Sequence, residues 1–139
     1  MNQPPGRTSS AWPVLHYDDT DAALRFLTDG LGFREILVFR DEDGAVAGAE
    51  LAWPGGGRLV LGSTAHKDSV HGHLPAGCNA VYLVTDDVDG VHRRAQAAGA
   101  TILRPPHNTA FGPGREAYAC AIGDPEGNIW TIGDYSGPP

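Results

Sequence analysis

The run Trp53-Pro-Gly-Gly-Gly-Arg-Leu-Val-Leu-Gly-Ser63 returns in altered form as Asp124-Pro-Glu-Gly-Asn-Ile-Trp-Thr-Ile-Gly-Asp134. Proline, glycine and a second glycine fall at the same three places, and each run ends in an apolar strand. The copies start at 53 and 124, half of a 139-residue chain apart. Duplication at that distance constrains the fold more than composition does. The chain reads as two copies of one small module, with function expected where the copies face each other.

The pattern around each copy predicts the same unit. In the first half Trp12 to Tyr17 reads as a strand. Asp18-Asp-Thr-Asp21 offers carboxylates to cap the helix that follows. Ala23, Leu24, Leu27 and Leu31 recur at helical spacing before Gly30 and Gly32 end it. Phe33 to Phe39, Ala45 to Trp53 and Arg58 to Gly62 read as strands, with turns at 41–44 and 54–57. In the second half Asn79 to Thr85 is a strand and Asp86-Asp87 the cap. Val88, Val91, Ala95 and Ala98 form one helical face, stopped by Gly99. Thr101 to Arg104 is a strand expected to break at Pro105-Pro106. After turns at 111–114 and 124–127, Glu116 to Ile122 and Asn128 to Asp134 are the last strands. Each half is strand, helix, strand, strand, strand, so the fold class is α+β with two βαβββ modules. The boundaries are a flexible tail at 1–10, modules at 11–64 and 79–135, and a linker at 65–78, all in one structural domain.

Charge and cysteine usage narrow the partners. With 10 basic and 17 acidic residues the chain carries net charge −7 and no basic stripe, which argues against nucleic acid and anionic membranes. No apolar run approaches the ~18 residues of a membrane span. The first ten residues lack a signal-type apolar stretch. Cys78 and Cys120 have no metal-type spacing and read as free thiols of a cytoplasmic protein.

The element order, with Leu31-Gly-Phe33 after the first helix and Asp-Pro-Glu-Gly-Asn-Ile-Trp late in the second half, resembles the vicinal oxygen chelate superfamily. That group includes glyoxalase I, extradiol dioxygenases and the bleomycin-resistance proteins. Val84-Thr-Asp-Asp-Val-Asp89, Ala97-Ala-Gly-Ala100 and Gly114-Arg-Glu-Ala-Tyr118 add to the likeness, which spans roughly residues 11–135. The resemblance implies curled half-barrel sheets whose concave faces hold a small molecule, and chains paired as homodimers. It does not fix the chemistry, because one fold hosts several.

Metalloenzymes of that superfamily bind a divalent ion through the first and fourth strands of each module. Aligned by helix ends and turns, those positions here are Trp12, Val60, Ala80 and Thr131. One hydroxyl among four side chains is no divalent site. No metal and no other cofactor is expected. Glu50, in Ala49-Glu-Leu51, is the nearest candidate ligand, but the repeat sets it opposite Ala121, one strand early. It reads better as an inter-strand carboxylate.

The expected ligand-binding residues are Trp12, His16, Trp53, Arg58, Tyr82, Phe111, Arg115, Tyr118 and Thr131. His16 shares a strand face with Trp12 and Val14. Arg115 and Tyr118 lie in a strand that faces the cavity in relatives, and Thr131 and Tyr82 alternate onto the same side, leaving Trp130 under the helix. Aromatic rings suit a planar ligand, and arginine a carboxylate or a ring. His66, His71 and His73 sit in a Gly/Pro/Ser loop without helical spacing and read as solvated linker. His92, beside Arg93 and Arg94, reads as a wet helix face, and His107 as lining a pocket mouth.

These residues support a metal-independent binding protein of the bleomycin-resistance type, sequestering an antibiotic or aromatic metabolite by shape and stacking. The rival is a lyase, isomerase or dioxygenase with a displaced metal site around Glu50, or a metal-free enzyme using His16 as base near Arg115. A dimer with a vestigial pocket and a partner role is the third.

Overall fold

The computed structural model describes residues 9–65, 70–111 and 114–138. Two four-stranded mixed sheets are present, one per half. The first comprises β1 (Val14–Tyr17), β2 (Arg34–Arg40), β3 (Val46–Ala52) and β4 (Arg58–Ser63). Its order is β1-β4-β3-β2, with β1 parallel to β4. The second comprises β5 (Ala80–Val84), β6 (Thr101–Phe111), β7 (Arg115–Gly123) and β8 (Ile129–Gly133), ordered β5-β8-β7-β6 with β5 parallel to β8. Two modules of identical topology are what the repeat predicts.

One helix crosses over in each half. Asp19 caps α1 (Thr20–Arg25) through the Ala22 N–H, and Asp87 caps α2 (Val88–Ala97) through the Gly90 N–H. α1 runs on as a wider π-type turn over Phe26–Leu31 before Gly32, at φ 98°, reverses the chain. The π-type segment packs against α2. A Cβ on Gly30 would lie 3.0 Å from Ala98 Cβ, so a glycine there lets the two backbones approach.

Alternation sorts each strand. Leu15, Tyr17, Ala49, Leu51, Leu59 and Leu61 point to the helices and are buried with Leu24, Leu27 and Leu31. In the second half Leu83, Cys120, Ile122, Trp130 and Ile132 join Val88, Val91 and Ala95 in the same core. Val14, His16, Val60, Gly62 and Glu50 take the opposite, helix-free face by register, as do Tyr82, Thr131 and Ala121.

Two expectations change. Pro105 and Pro106 do not end a strand: β6 continues to Phe111, with shifted register between Ile102, Arg104 and His107. β6 is the edge strand, so the missing proline N–H groups forfeit little, and the irregular register absorbs the rings. β1 begins at Val14, leaving Trp12 just ahead of the sheet. Of the linker, 70–78 is described and is mostly turns; His66 lies outside the described residues.

The halves are joined around Asp124, a buried carboxylate. Its Oδ2 accepts from Tyr17 Oη (2.6 Å), Asn128 Nδ2 (2.9 Å) and Trp130 Nε1 (3.1 Å). Its Oδ1 accepts from the Glu126 and Asn128 N–H groups. Burial, followed by the adjacent Asp124 charge, pushes the Tyr17 hydroxyl well above its ordinary range. A group raised in the folded state holds its stabilisation below its unfolded pKa, near 10, and loses it as pH climbs further. Tyr17→Phe should therefore cost about 1.5–3 kcal/mol at neutral pH, measured by urea unfolding, and flatten the loss of stability above pH ~10.

Candidate binding site at the junction of the two halves

Trp53 ends the first module's third strand and starts the Pro-Gly turn. Its indole Nε1 donates to Val84 O of β5, 2.8 Å away, and its ring tilts against Phe33 at 5.1 Å between centroids. That bond sets the turn of one half against the first strand of the other. Between them lies a cavity of about 280 Å³. Trp53, Arg58, Tyr82, Phe33 and Pro13 line it, with Gly55–Gly57 forming a side-chain-free rim.

Arg58 enters from the first residue of β4, where Ala52 and Glu50 neighbour it across β3. Its guanidinium pairs with Glu50 Oε2 at 2.6 Å and lies 6.0 Å from the Trp12 ring centroid. Glu50 is thus an inter-strand carboxylate engaged by arginine. Tyr82 donates from its hydroxyl to Tyr135 O at 2.6 Å, and its ring runs over Gly133, where an added Cβ would meet it at 2.9 Å. Partial burial and then Asp134 raise its hydroxyl pKa.

Of the nine expected residues, the cavity brings together Trp53, Arg58 and Tyr82. Trp12 is adjacent through Arg58, with its Nε1 donating to Ser9 O. Thr131 pairs in register with Tyr82 on the same sheet face. His16 faces the helix-free side but stacks on His71 at 5.1 Å and lies across Gly62. It lines a separate 160 Å³ cavity with Val14, Leu74 and Cys78. Arg115 stands exposed at the far end of β7, opposite Phe111, whose side chain lies outside the described residues.

Tyr118 points the other way. Its hydroxyl donates to Asp89 Oδ1 on α2 at 2.6 Å, and that bond is the main cause of its raised pKa. Its register partner Asn108 is one step from His107 and Ala119, so alternation sends Tyr118 to the helices. His92 is not simply wet: its Nε2 is enclosed and has no hydrogen-bond partner among the described residues. His107 Nδ1 lies 2.9 Å from Pro105 O. Phe33 and the backbone rim at 55–57 are cavity residues that the sequence reading omitted. The Trp53/Asp124 correspondence is the signal that was available, since both residues bond into the opposite half.

Val60 pairs with Val14 and Glu50, Ala80 with Ile129, and Thr131 with Ala121 and Tyr82. Trp12, Val60, Ala80 and Thr131 therefore present one hydroxyl to the helix-free faces, which does not fit a divalent cation. Among the described residues no three His, Cys, Asp or Glu side chains gather in a metal-binding group. No described helix is long and apolar enough to cross a membrane.

Comparison with known proteins follows the same lines. The family model described as Glyoxalase/Bleomycin resistance protein/Dioxygenase superfamily matches residues 10–132. No functionally curated protein matches the sequence. Among solved structures, TioX from Micromonospora sp. ML1 is 28% identical, with 92% of this chain and 99% of that one covered at TM-score 0.75. A glyoxalase/bleomycin resistance protein from Streptomyces sp. CB03234 is 25% identical, covering 89% and 98% at TM-score 0.66. A family enzyme from Burkholderia phytofirmans PsJN, 22% identical over 88% and 94% at TM-score 0.64, shares the fold.

Trp53→Phe keeps the ring and removes the bond to Val84 O. Chemical denaturation should show a loss of about 0.5–1.5 kcal/mol, the usual net worth of one such bond.

Proposed function

The chain belongs to the Glyoxalase/Bleomycin resistance protein/Dioxygenase superfamily, and from that premise we propose that it is a metal-independent binding protein for a small, partly planar organic molecule, acting as a homodimer. The observation that carries the reading is the junction cavity, where the aromatic side chains of Phe33, Trp53 and Tyr82 converge with the Arg58 guanidinium. At about 280 Å³ it falls at the lower edge of the ~300–1,000 Å³ typical of ligand pockets. It suits one ring of a ligand, with the remainder lying along the helix-free faces.

Those faces carry much exposed apolar surface. Trp12, Val14, Leu37 and Phe39 stand out on the first sheet, and Tyr82, Val84 and Ile129 on the second. Apolar surface of that extent calls for cover by a partner, and a second copy, as in relatives, would deepen the cavity while supplying it. Sequestration needs no chemistry beyond this. Stacking on Trp53 and Tyr82 contributes about 0.5–1.5 kcal/mol per ring pair. Arg58, already half committed to Glu50, orients a polar substituent. The Streptomyces relative is a glyoxalase/bleomycin resistance protein, which makes an antibiotic or a similar aromatic metabolite the first class to screen.

A thermal-shift screen of such compounds, with and without added divalent metals, tests the proposal. A true ligand at ~100 times its dissociation constant adds roughly 2.7 kcal/mol, a shift on the order of 10 °C in a domain of this size. The shift should be independent of metal and lost in Trp53→Ala and weakened in Trp12→Ala. One tightly held Ni, Zn, Mn or Fe per purified chain would instead support the enzymatic alternative, a lyase, isomerase or dioxygenase.

Light scattering should give twice the chain mass, and Phe39→Asp should halve it. A wild-type monomer would remove the dimer from the proposal.

A further inference from the structure

One matched position that differs between the two halves, Gly55 against Glu126, has a cavity beside it. In the second-half turn, Glu126 sends its carboxylate across to the first half, accepting from the N–H groups of Asp18 (2.7 Å) and Asp19 (2.8 Å). The repeat matches Asp18-Asp19 with Asp86-Asp87, and Glu126 with Gly55. Among the described residues no carboxylate from the other half therefore reaches the second pair. The Asp87 N–H turns to Thr85 Oγ1 at 3.0 Å. The Asp86 N–H has no hydrogen-bond partner among the described residues.

In the space that a side chain at 55 would enter is a cavity of about 490 Å³. Trp53 and Pro54 supply apolar wall, with Leu31 and Val91 buried behind them, and Asp86 and Arg94 line it as well. Arg94 occupies the helix position that buried Phe26 holds in the first half. It forms no ion pair among the described residues. The second pair thus has glycine where the first has a bridging carboxylate, with the exposed Arg94 cation beside it, the arrangement expected if the carboxylate comes from outside.

We propose that this cavity binds a small organic carboxylate. The Asp86 N–H donates to one oxygen and the Arg94 guanidinium holds the group by charge-assisted hydrogen bonding. The apolar body of the ligand rests on Trp53 and Pro54. Acidic neighbours do not forbid this, because Asp18 and Asp19 flank the Glu126 carboxylate in the same way. They do favour a monoanion over phosphate, since each added negative charge is repelled by both aspartates. The site shares Trp53 and Gly55 with the junction cavity, but its derivation rests on the repeat and not on what fills that cavity.

The amide resonance of Asp86, followed by ¹⁵N NMR during titration with acetate, benzoate or inorganic phosphate, reads the site directly. Benzoate should move it saturably, acetate more weakly, and phosphate least. Arg94→Gln should weaken benzoate by about tenfold, the scale of one charge-assisted bond. Gly55→Glu should move the resonance without ligand and abolish the benzoate response. The backbone has room for that change: an added Cβ meets nothing nearer than Trp53 Cδ1 at 3.6 Å, and Gly55 is not in the left-handed region. An Asp86 amide indifferent to both carboxylates, equally responsive in the two variants, or moved most by phosphate overturns the proposal. Failure here leaves the metal-free thermal shift untouched, and Trp12→Ala and Tyr82→Ala, at residues that do not line this cavity, still read the junction site, so the two readings fall separately.

Discussion

A carboxylate buried between two sheets is costly unless every lone pair is engaged, and Asp124 meets that condition with donors from both halves. Tyr17 of β1 supplies one hydrogen bond; Asn128, Trp130 and the turn backbone supply the rest. The same turn holds Glu126 on the amides leading into α1. Together these bonds fix the position of the second module's turn relative to the first module's crossover. The reciprocal contact, Trp53 on Val84 O, follows from the same two-fold relation. The junction cavity exists because these two contacts hold the halves apart at a set distance.

The two contacts are related by the repeat but made with different chemistry, and that asymmetry leaves a cavity beside one of them. On one side an aspartate, a glutamate and a tyrosine fill the junction with internal hydrogen bonds. On the other an indole replaces the aspartate and glycine replaces the glutamate, so a large ring props the halves while the turn beside it stays bare. A duplicated module can in this way keep one junction for stability and leave the other open to a ligand.

Much of this was legible in the residues. Paired aspartates announced both helix caps, glycines both helix ends, and the Pro-Gly turns both final strands, since each acts locally through backbone geometry. Tyr82 and Trp130 fell on their observed faces because strand alternation is strict. Tyr118 did not, because the carry-over from relatives set its face, whereas alternation with Cys120 and Ile122 along β7 sends it to the helices. The prolines of β6 misled for a related reason: they break central strands, and only sheet order reveals that this one is an edge.

The chain's own text determined the duplicated βαβββ unit, its caps and turns, and the lack of liganding side chains at the four family metal positions, all of which depend on residue type and short spacing. Tertiary structure alone decided that Trp53, Arg58 and Tyr82 share a cavity while His16 and Arg115 do not, and that Glu50 is tied to Arg58. Those outcomes turn on how two sheets are set against each other, through hydrogen bonds between residues up to 108 positions apart. No local spacing encodes such distances, so they become visible only once the halves are packed.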